Sequence, residues 1–103
     1  MYRAPSPLVS TVTGLTRQQR QAIREAMRTF VEEDLARGVP PDRVERCDAC
    51  GGERPAAGFV AYGEARFCND CATQYEISRT AGGVRDADDF MRRRRARRAA
   101  RSR

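Results

Sequence analysis

Cys47-Asp-Ala-Cys50-Gly51-Gly52 and Cys68-Asn-Asp-Cys71 are the two stretches that decide how this chain folds. They hold all four cysteines of the 103-residue sequence, in two C-x2-C pairs separated by seventeen residues. A two-residue gap lets both sulfurs of a pair reach one ion from a tight turn. Two such pairs roughly fifteen to twenty residues apart have the spacing of a tetrahedral structural zinc site, with Zn–S distances of about 2.3 Å. Gly51-Gly52 suits that turn, where the backbone needs a positive φ or a close approach to sulfur. The other uses of four cysteines are a disulfide pair, a redox C-x2-C and an iron–sulfur cluster. A thioredoxin-like motif needs a strand–helix scaffold that this pattern lacks, and the spacing is not the usual ferredoxin one. The expectation is one structural Zn2+ held by Cys47, Cys50, Cys68 and Cys71. With every position filled by Cys, and no His in the chain, no position is left for a catalytic water or a substrate.

Working outward, Phe59-Val-Ala-Tyr62 and Ala65-Arg-Phe67 read as two short strands across a Gly63-Glu64 turn. After Cys68 the pattern turns helical: Asn69 and Asp70 are capping types, Cys71, Tyr75 and Ser78 share a face, and Gly82 ends the run. A turn, a hairpin and a helix carrying the second pair at its N-terminus is a treble-clef arrangement, and the helix dipole there favours thiolate over thiol. The module spans 39–82, with Val44 as a strand start. Upstream, residues 16–38 read as an amphipathic helix. Thr16 and Gln19 have the capping-box spacing, and Ile23, Ala26, Met27, Phe30, Val31 and Leu35 form one apolar stripe. Arg28–Glu32 and Glu33–Arg37 are i,i+4 pairs on the wet side, Gly38 takes the left-handed C′ position, and Pro40-Pro41 cannot continue the helix. The stripe needs cover from the zinc module, from a second copy of the helix or from a target. The fold class expected is therefore small α+β and zinc-binding, with a basic C-terminal tail.

Forty per cent apolar residues, no Trp and seven aromatics make a core that is marginal without a staple such as a metal. Residues 1–15 read as an extended leader in which Leu8, Val9 and Val12 could add a strand or pack on a partner. No apolar run is long enough to span a membrane, and no basic start with an apolar core marks a secretory signal, so the expected compartment is the cytoplasm, where thiols stay reduced. The formal charge of +6 is unevenly placed: residues 92–103 carry eight Arg and no acid, and residues 1–91 carry a net −2. Segment 83–103 is thus acidic, then arginine-rich. Asp86, Asp88 and Asp89 favour a helix N-terminus, while eight like charges oppose helix formation, so the tail is expected to be helical or disordered.

Cys47-Asp-Ala-Cys50-Gly51, the seventeen-residue spacer with Phe59 and Ala61 in it, and Cys68-Asn-Asp-Cys71 followed by Ala-Thr-Gln-Tyr-Glu76-Ile-Ser-Arg79 together resemble the C4 zinc finger of the DksA/TraR family, in its short TraR-like form. The resemblance covers residues 36–81 and, by architecture alone, 16–35. It implies a protein that binds bacterial RNA polymerase and modulates transcription without touching DNA, using an acidic i,i+3 pair. Here the acids with that spacing, Asp86 and Asp89, follow the cysteines. A similar finger with a slightly longer spacer serves the ClpX unfoldase for protein docking and dimerisation.

Three functions are set against one another. The first is a zinc-binding regulator of RNA polymerase or another protein. The second is a nucleic-acid binder whose Arg92, Arg93, Arg94, Arg95, Arg97, Arg98, Arg101 and Arg103 neutralise DNA or RNA phosphates with little sequence preference. The third, an enzyme, has no nucleophile–base pair or phosphate loop behind it, and neither a small-molecule substrate nor a membrane partner is expected.

Overall fold

A computed structural model describes residues 14–101. Residues 1–13 of the expected leader, with Leu8, Val9 and Val12, lie outside the described residues, as does Arg103. Helix α1 (Arg17–Ala36) comes first, followed by two three-residue hairpins: β1 (Val44–Arg46) with β2 (Glu53–Pro55), and β3 (Val60–Tyr62) with β4 (Ala65–Phe67). Helix α2 (Asn69–Thr80) and helix α3 (Ala87–Arg101) complete a small α+β fold.

The capping box of α1 forms in full: the Gln19 N–H donates to the Thr16 hydroxyl at 3.0 Å, and the Thr16 N–H donates to the Gln19 side chain at 2.9 Å. At the other end the Gly38 N–H reaches the Leu35 carbonyl and the Val39 N–H the Asp34 carbonyl, a Schellman closure. Arg37 bonds to Asp34 rather than to Glu33, and among the described residues no ion pair joins Arg28 to Glu32. The β3–β4 hairpin turns at Gly63-Glu64, with Tyr62 opposite Ala65. The β1–β2 hairpin pairs Val44 with Pro55 and Arg46 with Glu53. The sequence pattern gives no warning of β2, because Glu-Arg-Pro is exposed at all three positions and has no apolar alternation.

Nine buried side chains form the core: Met27, Cys47, Ala49, Phe67, Cys68, Cys71, Ala72, Tyr75 and Phe90. Helix α1 therefore covers its stripe only in part. Met27 is fully buried against the cysteine module and Ile23 packs partly on it, whereas Phe30 and Leu35 remain 43% and 40% exposed. The expected cover by the cysteine module is met along Ile23, Met27 and Val31 and is missing at Phe30 and Leu35.

The docking of α1 onto the module is polar and close. Asn69 donates from its amide to the Met27 carbonyl at 2.9 Å and to the Gly58 carbonyl at 3.1 Å. The Gly58 N–H donates to the Asp34 carboxylate at 2.8 Å. Gly58 sits at φ +89, and a Cβ there would lie 2.5 Å from Val31 Cγ2 and 2.9 Å from Asn69 Nδ2. Only glycine allows this approach, on both conformational and steric grounds.

Of the two alternatives for the tail, the described residues take the helical one: α3 runs from Ala87 to Arg101 and is anchored at its start. Asp86 accepts the Asp89 N–H at 2.8 Å as an N-cap, and buried Asp89 accepts the Arg85 N–H at 3.0 Å. Asp89 also accepts from Arg92 at 2.7 Å and Arg93 at 3.1 Å, so one carboxylate offsets the repulsion at the head of the arginine run. The Arg85 N–H and the Arg93 guanidinium hold that carboxyl below its ordinary range. Phe90 enters an aromatic cluster, with ring centroids 5.6 Å from Phe67 and 5.4 Å from Tyr75. Tyr62 completes the cluster 4.7 Å from Tyr75, and its hydroxyl donates to Glu76 at 2.7 Å.

Replacing Gly58 with Ala is expected to cost about 2–4 kcal/mol, from left-handed backbone strain plus overpacking against Val31. Urea denaturation of the metal-loaded protein measures it, and an unshifted midpoint would show that the close approach at Gly58 does not hold α1 in place.

Candidate metal centre

Each cysteine is placed by a different local device. Cys47 follows β1 directly and opens a turn in which its N–H donates to the Gly52 carbonyl at 2.9 Å and its carbonyl accepts the Gly51 N–H at 2.8 Å. Gly51 sits at φ +75 to let that turn close. Cys68 is the N-cap residue of α2, in extended conformation, and Cys71 lies in the first turn of that helix. The two stretches are stitched by Asp48, whose N–H donates to the Arg66 carbonyl at 2.9 Å and whose carboxylate accepts the Arg66 N–H at 2.8 Å.

The result is a cluster of four Sγ atoms within 4.8 Å of one another. Thiolates at about 2.3 Å from a tetrahedral ion lie about 3.8 Å apart, so the set is the right size for one cation. All four cysteines are free thiols, so the disulfide alternative is not taken. Cys47, Cys68 and Cys71 are buried, and Cys50 faces partly outward. Cys47 Sγ accepts three backbone N–H groups, from Ala49 and Cys50 at 3.4 Å and from Cys68 at 3.3 Å. Such donors suit a negatively charged sulfur, as does the N-terminal dipole of α2 beside Cys68 and Cys71.

The thiols are not electrostatically alike. Burial works against charge on Cys50, yet the Gly52 backbone N–H, the Arg54 guanidinium and the neighbouring thiols outweigh it and set its pKa at about 6. Burial pushes the Cys68 and Cys71 thiols up. Buried thiols held together against that tendency are the arrangement a cation relieves, because coordinating thiols give up their protons. The residues therefore fit a metal ion in a four-sulfur site, with Arg54 as an outer cation beside Cys50. Arg54 is a participant that sequence reasoning missed. Its only sequence signal is its place four residues after Cys50, where the β1–β2 pairing folds it back.

The arginines, which the sequence presents as one run, take separate places. Arg92 and Arg93 are tied to Asp89. Arg94 lies over the Phe90 ring, 4.9 Å from its centroid, and bonds to Gln74 of α2. Arg98 donates to the Ala49 carbonyl at 2.9 Å, inside the first cysteine turn. Arg94, Arg98 and Arg101 line a groove together with Cys50. Among the described residues Arg95, Arg97 and Arg101 have no acidic partner.

No family model, curated protein or solved structure matches this chain. Among the described residues no helix is long and apolar enough to cross a membrane.

Removing the metal with a chelator, or replacing Cys68 with Ser, is expected to unfold residues 47–81, since site formation carries on the order of 10 kcal/mol in small metal-folded domains. Because Met27 and Phe90 pack on the same core, far-UV circular dichroism should fall across all three helices. A chelated protein with an unchanged spectrum contradicts this.

Proposed function

We propose that this chain is a zinc-organised, non-enzymatic binding protein of the DksA/TraR type. One structural Zn2+ on Cys47, Cys50, Cys68 and Cys71 closes a treble-clef finger, and the finger holds out its helices to a protein partner, with RNA polymerase as the partner the motif resemblance points to. The observation that carries the zinc part is the four-sulfur cluster with backbone N–H donors on Cys47. Zinc accepts four thiolates tetrahedrally without redox change, and a site filled by four cysteines has no position for a reacting water, so the metal supplies folding energy rather than chemistry.

A protein partner is supported by apolar surface left on α1. Ile23, Ala26, Met27 and Phe30 line a groove with Val60 and Tyr62, and Phe30 is exposed in it. Asp86 and Asp89, which have the spacing of that family's acidic i,i+3 pair, are engaged in capping and anchoring α3. Contact with polymerase in this chain accordingly falls to the α1 groove and not to that pair. The test is titration of the metal-loaded protein onto purified bacterial RNA polymerase, in salt high enough to screen the arginine tail. Saturable binding that Phe30→Glu weakens is expected, and no binding contradicts the reading.

A second reading, nucleic-acid binding through α3, is favoured by one observation: seven arginines on a continuous helix, with no acid after Asp89.

A further inference from the structure

Helical geometry sorts the arginines of α3. At 3.6 residues per turn, Arg93, Arg94, Arg97, Arg98 and Arg101 fall within an arc of about 140°, while Ala96 and Ala99 occupy the opposite side with Arg92 and Arg95, and Ala100 borders the arc next to Arg93. Phe90 lies at the centre of the arginine arc, one turn earlier. Since Phe90 is locked into the aromatic core, the arc is aimed at the body of the molecule and not in an arbitrary direction. Its contacts agree: Arg98 meets the cysteine turn at Ala49, Arg94 meets Gln74, and Arg97 lines the α2 side with Gln74 and Ser78. Arg97, Arg98 and Arg101 nonetheless remain exposed, so the face is wet.

We propose that this face and the Cys47–Cys50 turn form a phosphodiester-binding groove for a nucleic-acid strand, with Arg94, Arg97, Arg98 and Arg101 as its cationic wall. The proposal rests on the nucleic-acid reading above and assigns that reading to particular residues. Guanidinium forks match phosphate oxygens in pairs, and side chains three and four apart on a helix sit about 5–6 Å from each other, a spacing suited to a row of phosphates. A membrane surface fits less well, because residues 92–101 carry no apolar side chain larger than Ala and have nothing to insert. A peptide partner fits less well too, since the wall offers no exposed aromatic or aliphatic anchor. The Gln74 side-chain oxygen accepts from Arg94, and guanidiniums committed to phosphates carry no sequence information, so binding is expected to be largely insensitive to sequence.

The test keeps net charge fixed and moves it. A variant carrying Arg97→Ala and Arg101→Ala together with Ala96→Arg and Ala99→Arg has the parent's charge on the wrong side of the helix. All four positions are exposed, and Ala and Arg are both good helix formers, so the fold is retained. Fluorescence anisotropy with a short DNA duplex and a single-stranded RNA, over a salt series, compares this variant with the metal-loaded parent and with a truncation lacking residues 92–103. Four phosphate contacts give the parent a slope of log K on log salt of about −3.6 on duplex, and loss of two brings the variant to about −1.8 with affinity down about tenfold at low salt. If the variant binds as tightly as the parent while the truncation does not bind, the tail binds nucleic acid but the face assignment is wrong. If the parent binds neither nucleic acid, or binds vesicles of anionic phospholipid as tightly, both the assignment and the reading beneath it are overturned.

Discussion

Four sulfur atoms drawn within 4.8 Å of one another are where this chain crosses itself, and the remaining structure depends on keeping them there. Three of the nine buried core side chains are these cysteines, and a fourth, Ala49, lies between two of them. The two hairpins have three-residue strands and could not persist alone. Held at the cysteine turns, they present Phe67, and through it the aromatic cluster, to the helices. α1 then gains a place to bury Met27, and α3 a place to bury Phe90. The order of dependence runs from thiols to hairpins to helices, and an ion in the thiol cluster would set the stability of all of them.

The same centre organises the charges. Near neutrality over residues 1–91 conceals specific pairings: Asp34 is shared between Arg37 and the Gly58 N–H, and buried Asp89 reaches past that span to gather Arg92 and Arg93. Exposed pairs such as Arg66–Glu45 contribute little to stability. Asp89 matters more, because an acid buried at the head of an arginine run lets a helix begin there at all. Beyond it Arg94 is held by Gln74 and the Phe90 ring and Arg98 reaches back to the cysteine turn, while among the described residues Arg95, Arg97 and Arg101 have no acidic partner.

Features with a local grammar were legible in the sequence. The C-x2-C spacing named all four residues of the cluster, Thr16 and Gln19 marked the start of α1, and Gly63-Glu64 marked a hairpin. Features that depend on distant contacts were not. Nothing in Glu53-Arg-Pro55 predicts β2, because its pairing is dictated by the cysteine turn rather than by its own side chains. Asn69 looked like a capping residue, yet its amide reaches across to Met27 and Gly58. The arginine run looked like a charged terminus, because a single aromatic, Phe90, decides that it is a docked helix with a face.

One zinc ion on the four cysteines, as proposed, would be what closes the fold. X-ray absorption at the zinc edge on protein purified without added metal reads both the ion and its ligands. One zinc per chain is expected, with four sulfur neighbours at about 2.3 Å and no oxygen or nitrogen directly bound. Iron in place of zinc, fewer than four sulfurs, or a folded chain without metal would contradict it.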